Sequence, residues 1–326
     1  MSQPLKAAVL GAGSMGQNHI RVYHELEQVE LVAVADASPE ARERAARRYG
    51  VRAYDSPIAL LEAERPDLVT IAAPTNLHAA IARETIGRGI ATLIEKPIAA
   101  TVAEGEELVR LAAERGTLVG IGHVERFNPA ITELKRRLDE GQLGQIFQIS
   151  ARRIGPFPAR IQDVGVVIDL ATHDLDAMHY LTGSTVARLQ AETGQRLHTN
   201  HEDLLTALLR FESGVIGTLE INWLSPAKVR TLSVLGERGM FVANYLTQEL
   251  QFYENAQATA GWEQLAVMGV TEGQMIRYNI PKREPLREEL LDFIAAVRDG
   301  RPPLVSAAEG LRALAVAEQL IAQGNR

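Results

Sequence analysis

The sequence predicts an α/β protein in which a doubly wound parallel sheet is followed by an α+β domain with a large, open, mainly antiparallel sheet. In the first third, short continuous apolar runs alternate with helical segments, as in strands buried on both faces. Beyond about residue 122, longer stretches alternate between apolar and polar residues, as in a sheet with one covered face. Because 326 residues exceed the usual size of a single core, we expect two domains, 1–122 and 123–326.

The strands and helices of the first domain follow from the position of these runs. The predicted strands are Leu5–Leu10, Leu31–Ala35, Leu68–Ala72, Ala91–Ile94 and Leu118–Gly122. The predicted helices are Gly16–Glu25, a segment from Ser38 to Gly50, Leu77–Gly87 and Val102–Arg115. Ser38 followed by Pro39 is a typical helix start, with a capping hydroxyl and a proline in the first turn.

The second domain is predicted to be mainly antiparallel and to end in helices. Its expected strands are Ile146–Ile154, Val186–Leu197, Leu204–Phe211, Val215–Trp223, Val229–Leu235 and Leu250–Tyr253. Glycine-containing segments such as 212–214 and 236–239 separate some of them as turns. The tail predicts two helices, Glu288–Val297 and Ala307–Gln323, and we expect the last helix to pack back on the first domain.

Composition and charge exclude several classes of function. A net charge of −7 argues against nucleic acid as a partner, since binding a phosphate backbone requires a basic face. The chain has no cysteine, which removes disulfides, thiolate metal sites and cysteine nucleophiles and fits a reducing compartment. No targeting segment or membrane-spanning run is evident. We therefore expect a cytoplasmic protein that does not bind a membrane.

A glycine-rich turn, Gly11-Ala12-Gly13-Ser14-Met15-Gly16, lies between the first predicted strand and helix. In a dinucleotide-binding Rossmann fold, Gly11 allows the tight turn, Gly13 lets the backbone approach a pyrophosphate, and Gly16 lets the helix pack on the strand. The βαβ context favours this interpretation over a purely structural turn. We therefore expect the cofactor to lie along Gly11–Gly16, with Ser14 and Met15 among its contacts.

An acidic residue at the end of the second strand suggests which dinucleotide binds. Asp36 lies 20 residues after Gly16, where a carboxylate can accept hydrogen bonds from the ribose 2′-hydroxyl of NAD. The alternative is a helix cap, but Ser38 holds the cap position and leaves Asp36 without an evident structural role. Arg42 is close enough in sequence to keep NADP as a second possibility. The prediction is NAD.

Three segments together resemble the Gfo/Idh/MocA oxidoreductases: the glycine turn, Glu95-Lys96-Pro97 directly after a strand, and the segment 169–176, which reads DLATHDLD. The resemblance extends over the whole chain. It implies that Lys96, Asp169 and His173 lie around the nicotinamide and that Glu95 is near the cofactor. Ala171 stands where the family usually has glycine, a small change.

The same residues suit the oxidation of a secondary alcohol. His173 can take the hydroxyl proton as hydride leaves, and Lys96 can donate to the oxygen as negative charge develops. Asp169 and Asp176 lie four residues before and three after His173, so a helix would place all three on one face. The alternative is a solvated helix face. A metal is a minor option, because the chain lacks cysteine and an HExxH motif.

Two further segments are predicted to contact ligands. The resemblance places the loop 73–78 along the cofactor, through Pro74, Thr75, Asn76 and His78; alternatively, Thr75 or Asn76 only caps the next helix. Between the domains, Arg126 and Asn128 are polar groups suited to a phosphate or carboxylate. A salt bridge at this hinge remains open as the alternative for Arg126.

The segments 155–165 and 125–129 resemble the branch of the family that acts on nucleotide-activated amino sugars. This implies oxidation at C3 of UDP-N-acetylglucosamine to a 3-keto sugar, with Arg152, Arg153 and Arg160 as partners of the diphosphate. For the arginines, the alternative is a charged edge strand and loop. For the protein, the alternatives are a dehydrogenase of another sugar or inositol and a regulatory protein that binds NAD without catalysis. The presence of Lys96, Asp169 and His173 together argues against a regulatory protein.

A predicted strand of the second sheet carries Leu219, Ile221 and Trp223 at alternating positions. If this apolar face has no cover within the chain, a second copy can supply one. We therefore expect a homodimer or homotetramer formed through the C-terminal sheet.

Overall fold

The computed structural model describes residues 3–158, 164–197, 200–256 and 273–324. The chain divides into two compact units, each with its own sheet. The first unit contains the described residues up to Val124 together with Glu284–Ala315. The second contains those from Glu125 to Arg283 and those from Val316 onward. The first unit is therefore built from two separate stretches of the sequence.

The sheet of the first unit has six parallel strands in the order β3-β2-β1-β4-β5-β6. They are β1 Leu5–Leu10, β2 Val29–Ala35, β3 Arg52–Tyr54, β4 Leu68–Ile71, β5 Ala91–Glu95 and β6 Val119–Gly122. The order reverses between β1 and β4, and in open α/β sheets the crevice at such a point binds ligands beyond the carboxyl ends of the strands. The predicted doubly wound parallel sheet is confirmed.

Among the described residues, six α-helices belong wholly to this unit: α1 Ser14–Glu25, α2 Pro39–Tyr49, α3 Pro57–Glu64, α4 Thr75–Gly87, α5 Val102–Arg115 and α8 Pro285–Asp299. Ser38 caps α2 by accepting a hydrogen bond from the N–H of Ala41, as the serine–proline pair predicted. One hydrophobic core combines side chains from α1, α2 and α8 with those of β1 and β2. These contacts bury the continuous apolar runs from which the strands were predicted.

Two elements of the first unit were not predicted, β3 and α3. Arg52 and Ala53 of β3 are exposed, so this three-residue strand leaves little apolar pattern. For α3 the signal was present, because Ser56 and Pro57 repeat the helix start seen at Ser38 and Pro39, and Ser56 accepts from the N–H of Ala59.

The second unit contains an eight-stranded sheet in the order β14-β13-β12-β11-β7-β10-β9-β8. Its strands are β7 Ile146–Ile154, β8 Val186–Gly194, β9 Leu204–Phe211, β10 Ile216–Asn222, β11 Val229–Gly236, β12 Gly239–Asn244, β13 Glu249–Glu254 and β14 Met275–Arg277. Only the pairing between β7 and β10 is parallel among these described strands. The predicted large, mainly antiparallel sheet is confirmed.

Helices cover one face of this sheet: α6 Pro129–Asp139, α7 Thr172–Thr182 and the part of α9 (Ala307–Gly324) that begins at Val316. Neither α6 nor the strands β12 and β14 were predicted. The helix begins at Pro129 with Asn128 as its cap, in a segment predicted to connect the domains and to bind a ligand, but not to start a helix. A π-helical turn, Val167–Ala171, immediately precedes α7.

The apolar residues on which the prediction of self-association was based already have a cover. Leu219, Ile221 and Trp223 lie in the core of the second unit, at most 3% exposed. The alternate residues of β10, among them Thr218 and Glu220, line a depression on the other face of the sheet, with a volume of about 1150 Å³. The argument from these three residues was therefore wrong, because helices of the same unit bury them.

Candidate active site

The glycines of the turn after β1 differ in the space that surrounds them. Gly11 has φ of +108°, and a Cβ there would lie 2.5 Å from the carbonyl carbon and oxygen of Ala72, after β4. A Cβ on Gly16 would overlap the carbonyl oxygen of Gly11. A Cβ on Gly13, by contrast, would have no atom within 4 Å. Gly11 and Gly16 therefore serve the packing of the turn, whereas Gly13 keeps open space in front of it.

The helix after this turn presents its backbone N–H groups without a side-chain cap. Helix α1 begins at Ser14, and Gly13 at the cap position provides no side chain to accept from the first turn. Ser14 is exposed and Met15 half-buried. Free N–H groups and the positive end of the helix dipole favour an anion. The open space at Gly13 and these uncapped groups fit the pyrophosphate of a dinucleotide.

Asp36, directly after β2, does have a structural role, so that step of the sequence argument was wrong. Its Oδ2 accepts from the N–H of Ala12 at 2.6 Å, and its Oδ1 accepts from the N–H of Ser38 at 2.8 Å. The carboxylate thereby ties the end of β2 to the glycine turn. Each oxygen of a carboxylate can accept more than one hydrogen bond, so a ribose hydroxyl can still be recognised here.

Beside Asp36, the guanidinium of Arg42 donates to the carbonyl oxygens of Ala37, at 3.0 Å, and of Asp36, at 3.3 Å. A half-buried cation therefore lies next to the carboxylate. The arrangement combines a group suited to a ribose diol with one suited to a 2′-phosphate.

The loop after β4 leads into α4, which begins at Thr75 with Pro74 at the cap position. No side chain caps this helix, so the alternative role of Thr75 or Asn76 as a cap is not seen. Pro74 and Asn76 are exposed and Thr75 is half-buried. His78 is different, because it is 1% exposed and its ring contacts two carbonyl oxygens, that of Pro97 from Nδ1 (2.8 Å) and that of Ala73 from Nε2 (2.9 Å).

Lys96 follows the last residue of β5, and its side chain is half-buried. The Lys96–Pro97 peptide bond is cis. The preceding Glu95 is 8% exposed; its Oε1 lies 2.7 Å from Nε2 of His19, and its Oε2 accepts from the N–H of Lys96 at 3.2 Å. Both oxygens of Glu95 thus contact groups of the same unit.

The environment of Glu95 keeps its carboxylate charged. Burial by itself would raise the pKa of Glu95, but the hydrogen bond with His19 and electrostatic interactions with His19, Lys96 and His78 lower this pKa below its ordinary value. Gly122, on β6, leaves room for the carboxyl group of Glu95, since a Cβ at this position would lie 3.1 to 3.2 Å from the carboxyl atoms.

In the second unit, Asp169 lies in the π turn and His173 in the first turn of α7, and both side chains are half-buried. The π turn is anchored by Glu202, whose Oε1 accepts from the N–H of Val167 at 3.2 Å. Gly165 just before it makes room, because a Cβ at this position would overlap the carboxylate of Glu202. The turn therefore presents Asp169 and His173 with partial access to solvent.

Asp176 does not share this access, although the spacing predicted that all three residues lie on one helix face. Asp176 is 1% exposed and binds Arg126 through two hydrogen bonds, 2.8 Å from Nε and 2.6 Å from Nη2. The π turn changes the spacing between Asp169 and His173, whereas His173 and Asp176 both lie in α7. Arg126 forms the buried ion pair that the sequence left open as its alternative.

Arg153 lies in a second buried ion pair. Its Nε and Nη2 donate to Asp174 at 2.7 and 3.1 Å, and its Nη1 donates to Glu125 at 2.9 Å. Burial acts to lower the pKa of Arg153, but the charges of Asp174 and Glu125 raise it well above its ordinary value. The guanidinium is 1% exposed, so within this unit it is enclosed by protein carboxylates.

The remaining residues predicted to bind substrate have different surroundings. Asn128 is 2% exposed and caps α6, accepting from the N–H of Ala130 at 3.2 Å and donating to the carbonyl oxygen of Tyr245 at 3.1 Å. Arg152 lies on β7 and pairs with Glu220 across the sheet at 2.8 Å. Arg160 lies outside the described residues.

Sequence reasoning missed Arg230, near the start of β11. It lies opposite Arg153 in the strand pairing, its side chain is 31% exposed, and its Nη1 is 4.0 Å from Glu125. Burial and the charge of Arg153 lower the pKa of Arg230, whereas Glu125, Asp174 and Asp169 act to raise it. Only the register of the sheet places this arginine in the electric field of Asp169, so no local motif could have identified it.

Metal and membrane sites find no support in the part of the chain that the structure describes. There, no group of three or more His, Asp or Glu side chains is placed to hold a metal ion. Likewise, none of the described helices combines the length and apolar character needed to cross a bilayer.

The fold and these residues define a class of protein, and comparison with known sequences identifies it. Residues 5–123 match the family profile "Oxidoreductase family, NAD-binding Rossmann fold", and residues 131–242 match the "GFO/IDH/MocA C-terminal domain". The chain belongs to the Gfo/Idh/MocA family of oxidoreductases, as its resemblance predicted.

Particular relatives are enzymes that act on sugars and inositols, according to their names. The chain is 29% identical over 316 residues to UDP-N-acetylglucosamine 3-dehydrogenase from Acidithiobacillus ferrooxidans, covering 97% of this chain and 96% of the relative. A solved structure of that enzyme superposes with a TM-score of 0.88 at 28% identity, covering 99% of this chain and 98% of the other. The NAD(+)-dependent scyllo-inositol 2-dehydrogenase of Bacillus subtilis is 26% identical, over 94% of this chain and 90% of the relative.

Proposed function

We propose that the protein is an NAD-dependent dehydrogenase that oxidises a secondary hydroxyl of a sugar, with C3 of UDP-N-acetylglucosamine as the first candidate. The observation that carries the proposal is the pair of half-buried residues, Asp169 and His173, presented by the turn at the start of α7, in a chain that also has Lys96 at the end of β5. The relative from Acidithiobacillus ferrooxidans, similar over nearly the whole chain, supports this substrate.

Each of the three residues has a defined role in this reaction. A bound nicotinamide supplies the acceptor for the hydride that leaves the carbinol carbon. His173 takes the hydroxyl proton as the C–H bond breaks and the carbonyl forms, so alcohol and NAD⁺ give ketone, NADH and a proton. Lys96 donates to the same oxygen and stabilises its developing negative charge. Asp169, four residues before His173, orients the imidazole.

The cofactor is proposed to be NAD rather than NADP. A 2′-phosphate would meet the carboxylate of Asp36, which already accepts two backbone hydrogen bonds at the end of β2. Arg42 opposes this preference, since its guanidinium lies beside Asp36. The ratio of kcat/KM with NAD to that with NADP tests the choice: a ratio well above one is expected, Asp36→Ser should lower it, and an inverted ratio in the wild type would contradict the proposal.

The binding of a nucleotide diphosphate is less well supported for Arg126, Asn128 and Arg153, because all three are buried and bonded within their own unit. Arg230 is the stronger candidate, since its side chain is 31% exposed and its distance to Glu125 is 4.0 Å. Arg160 remains a prediction. We expect Arg230→Ala to raise KM for the sugar nucleotide without changing the affinity for NAD.

The decisive experiment measures NADH absorbance with NAD and UDP-N-acetylglucosamine, N-acetylglucosamine or scyllo-inositol. Turnover is expected with the nucleotide sugar and should be lost in Lys96→Ala, while Lys6→Ala, at an exposed position, serves as the matched control. Turnover with inositol alone would favour the second candidate, which the similarity to scyllo-inositol 2-dehydrogenase supports. Tight binding of NAD without turnover on any of these compounds would favour a regulatory protein.

We also retain the proposal of a homodimer or homotetramer, now through the outer face of the eight-stranded sheet. Leu208 and Ile216 are exposed there, on adjacent antiparallel strands. Light scattering of the purified protein should give a mass of two or four chains, and Leu208→Lys should lower it; a monomer in the wild type would refute the proposal. The cytoplasmic location inferred from composition stays a prediction.

A further inference from the structure

The residues before and after Lys96, Glu95 and Pro97, each contact a buried histidine. On one side, Glu95 contacts Nε2 of His19, which comes from α1 and is 0% exposed. On the other side, the carbonyl oxygen of Pro97 contacts Nδ1 of His78, which comes from α4. The two histidines therefore reach the Lys96 turn, Glu95-Lys96-Pro97, from the two helices that follow the proposed cofactor loops.

The contacts of His78 also join two loops to each other. Its second nitrogen, Nε2, lies 2.9 Å from the carbonyl oxygen of Ala73, in the loop between β4 and α4. Since carbonyl oxygens only accept, both contacts are hydrogen bonds only when each ring nitrogen carries a hydrogen. His78 thereby links the loop at Ala73 to Pro97, directly after Lys96.

Glu95 links the second histidine to the lysine. One carboxylate oxygen contacts His19 and the other accepts from the backbone N–H of Lys96. Because both oxygens are occupied and the carboxylate fits over Gly122, the end of β5 has little freedom to move. In a buried polar network of this kind, in which both oxygens of the central carboxylate are bonded, the loss of a member is costly.

We propose that His19 and His78 are positioning residues, which act through Glu95 and Pro97 to fix Lys96 relative to the loops that bind the cofactor. This inference rests on the proposed function only in assigning the reaction to Lys96. It assigns His78 and Glu95 to the support of the lysine rather than to direct contact with the cofactor. A displacement of about 1 Å at a catalytic group can lower a rate about 100-fold.

Kinetics of single variants provide the first test. His19→Gln and His78→Gln should each lower kcat at least about tenfold, as expected for a misplaced catalytic group, with the dissociation constant for NAD changed less than about threefold. His24→Gln, an exposed histidine on the same helix as His19, is the matched control and should keep the wild-type kcat. Equal losses in kcat and NAD affinity would overturn the proposal in favour of direct cofactor contact.

Chemical labelling of the lysines gives a readout that needs no turnover. Glu95→Gln keeps the size of the side chain but removes the negative charge that interacts with Lys96. At fixed pH, acetic anhydride in trace amounts should then modify Lys96 faster, because the turn that carries its half-buried amine is held less firmly, while Lys6 and Lys282 keep their rates as internal controls.

The two readouts separate the two proposals. Absence of turnover in the wild type, with Lys96 labelled faster in Glu95→Gln, would refute the proposed reaction and retain the coupling of Glu95 to the lysine. A different set of results would refute the positioning role alone. In that case Lys96→Ala abolishes the wild-type turnover, both histidine variants preserve it, and the labelling of Lys96 is unchanged in Glu95→Gln.

Discussion

At the scale of single residues, the glycine turn separates the requirements of folding from those of binding. Gly16 has no room for a Cβ because it packs on Gly11, whereas Gly13 faces open space. The two positions can therefore be tested independently with the same substitution, glycine to alanine.

Gly13→Ala should leave the melting temperature near that of the wild type and weaken NAD binding at least about tenfold, which corresponds to about 1.4 kcal/mol. The added methyl group occupies space needed by the pyrophosphate. Gly16→Ala should lower both the melting temperature and the affinity, because its methyl group overlaps the backbone of the turn. Calorimetric unfolding and titration with NAD measure the two effects; unchanged affinity in Gly13→Ala would show that the pyrophosphate lies elsewhere.

Glu95 gives a prediction for the pH dependence of stability. Its pKa is lowered in the folded protein, so the unfolded state binds a proton more readily, and the native carboxylate contributes stability above the unfolded pKa of about 4.3. This contribution is lost as the pH falls through the folded pKa. Melting temperatures of wild type and Glu95→Gln should therefore differ most near pH 7 and converge below about pH 4. A constant difference across this range would contradict the lowered pKa.

At the scale of secondary structure elements, buried ion pairs connect the start of the second unit to its helix α7 and strand β7. Arg126, in a short 3₁₀ turn, binds Asp176 of α7, and Arg153 of β7 binds Asp174 of the same helix. These pairs hold the helix that presents His173. They support the site without offering an open cationic surface.

Removal of one partner from such a buried pair leaves an uncompensated charge. Arg126→Ala should reduce the free energy of unfolding by about 3–5 kcal/mol. The matched control is Arg152→Ala, which breaks the exposed pair with Glu220 and should cost at most about 1 kcal/mol. Urea denaturation compares the two variants. Similar losses of unfolding free energy would show that the buried pair of Arg126 is no more important for stability than the exposed pair of Arg152.

At the scale of the whole molecule, the first unit depends on a segment that is distant in sequence. Leu286, Leu290 and Phe293 of α8 belong to its core, and the ring of Phe293 would be 3.1 Å from a Cβ placed on Gly120. Each such side chain contributes about 1.5–3 kcal/mol by burial, and three together approach the total stability of a typical domain.

A fragment ending at residue 124 should therefore not fold stably, although it contains all six strands of the parallel sheet. Joining residues 284–315 to it through a flexible linker should restore a cooperative thermal transition and NAD binding. Circular dichroism during heating measures the outcome, and a cooperative transition in the short fragment would contradict the prediction.

The sequence by itself determined the architecture of both sheets, the glycine turn and the family. Local periodicity encodes strands such as Leu5–Leu10 and Ile146–Ile154, whose observed ends equal the predicted ones. Short elements such as β3 were missed, because three residues with two exposed carry too little pattern. Motifs in the sequence predicted Lys96, Asp169 and His173 as catalytic residues, and this role stays a prediction.

Only the tertiary structure decided which charged residues are paired and which are accessible. In the sequence, Arg153 and Arg230 both lie within predicted strands and Arg126 lies between the predicted domains. In the structure, Arg126 and Arg153 are buried against carboxylates and Arg230 is partly exposed. In the same way, His19 and Glu95 are 76 positions apart and meet at 2.7 Å. The physical reason is that hydrophobic periodicity is local in sequence, whereas ion pairs and burial depend on the register of strands and on helices brought together by the complete fold.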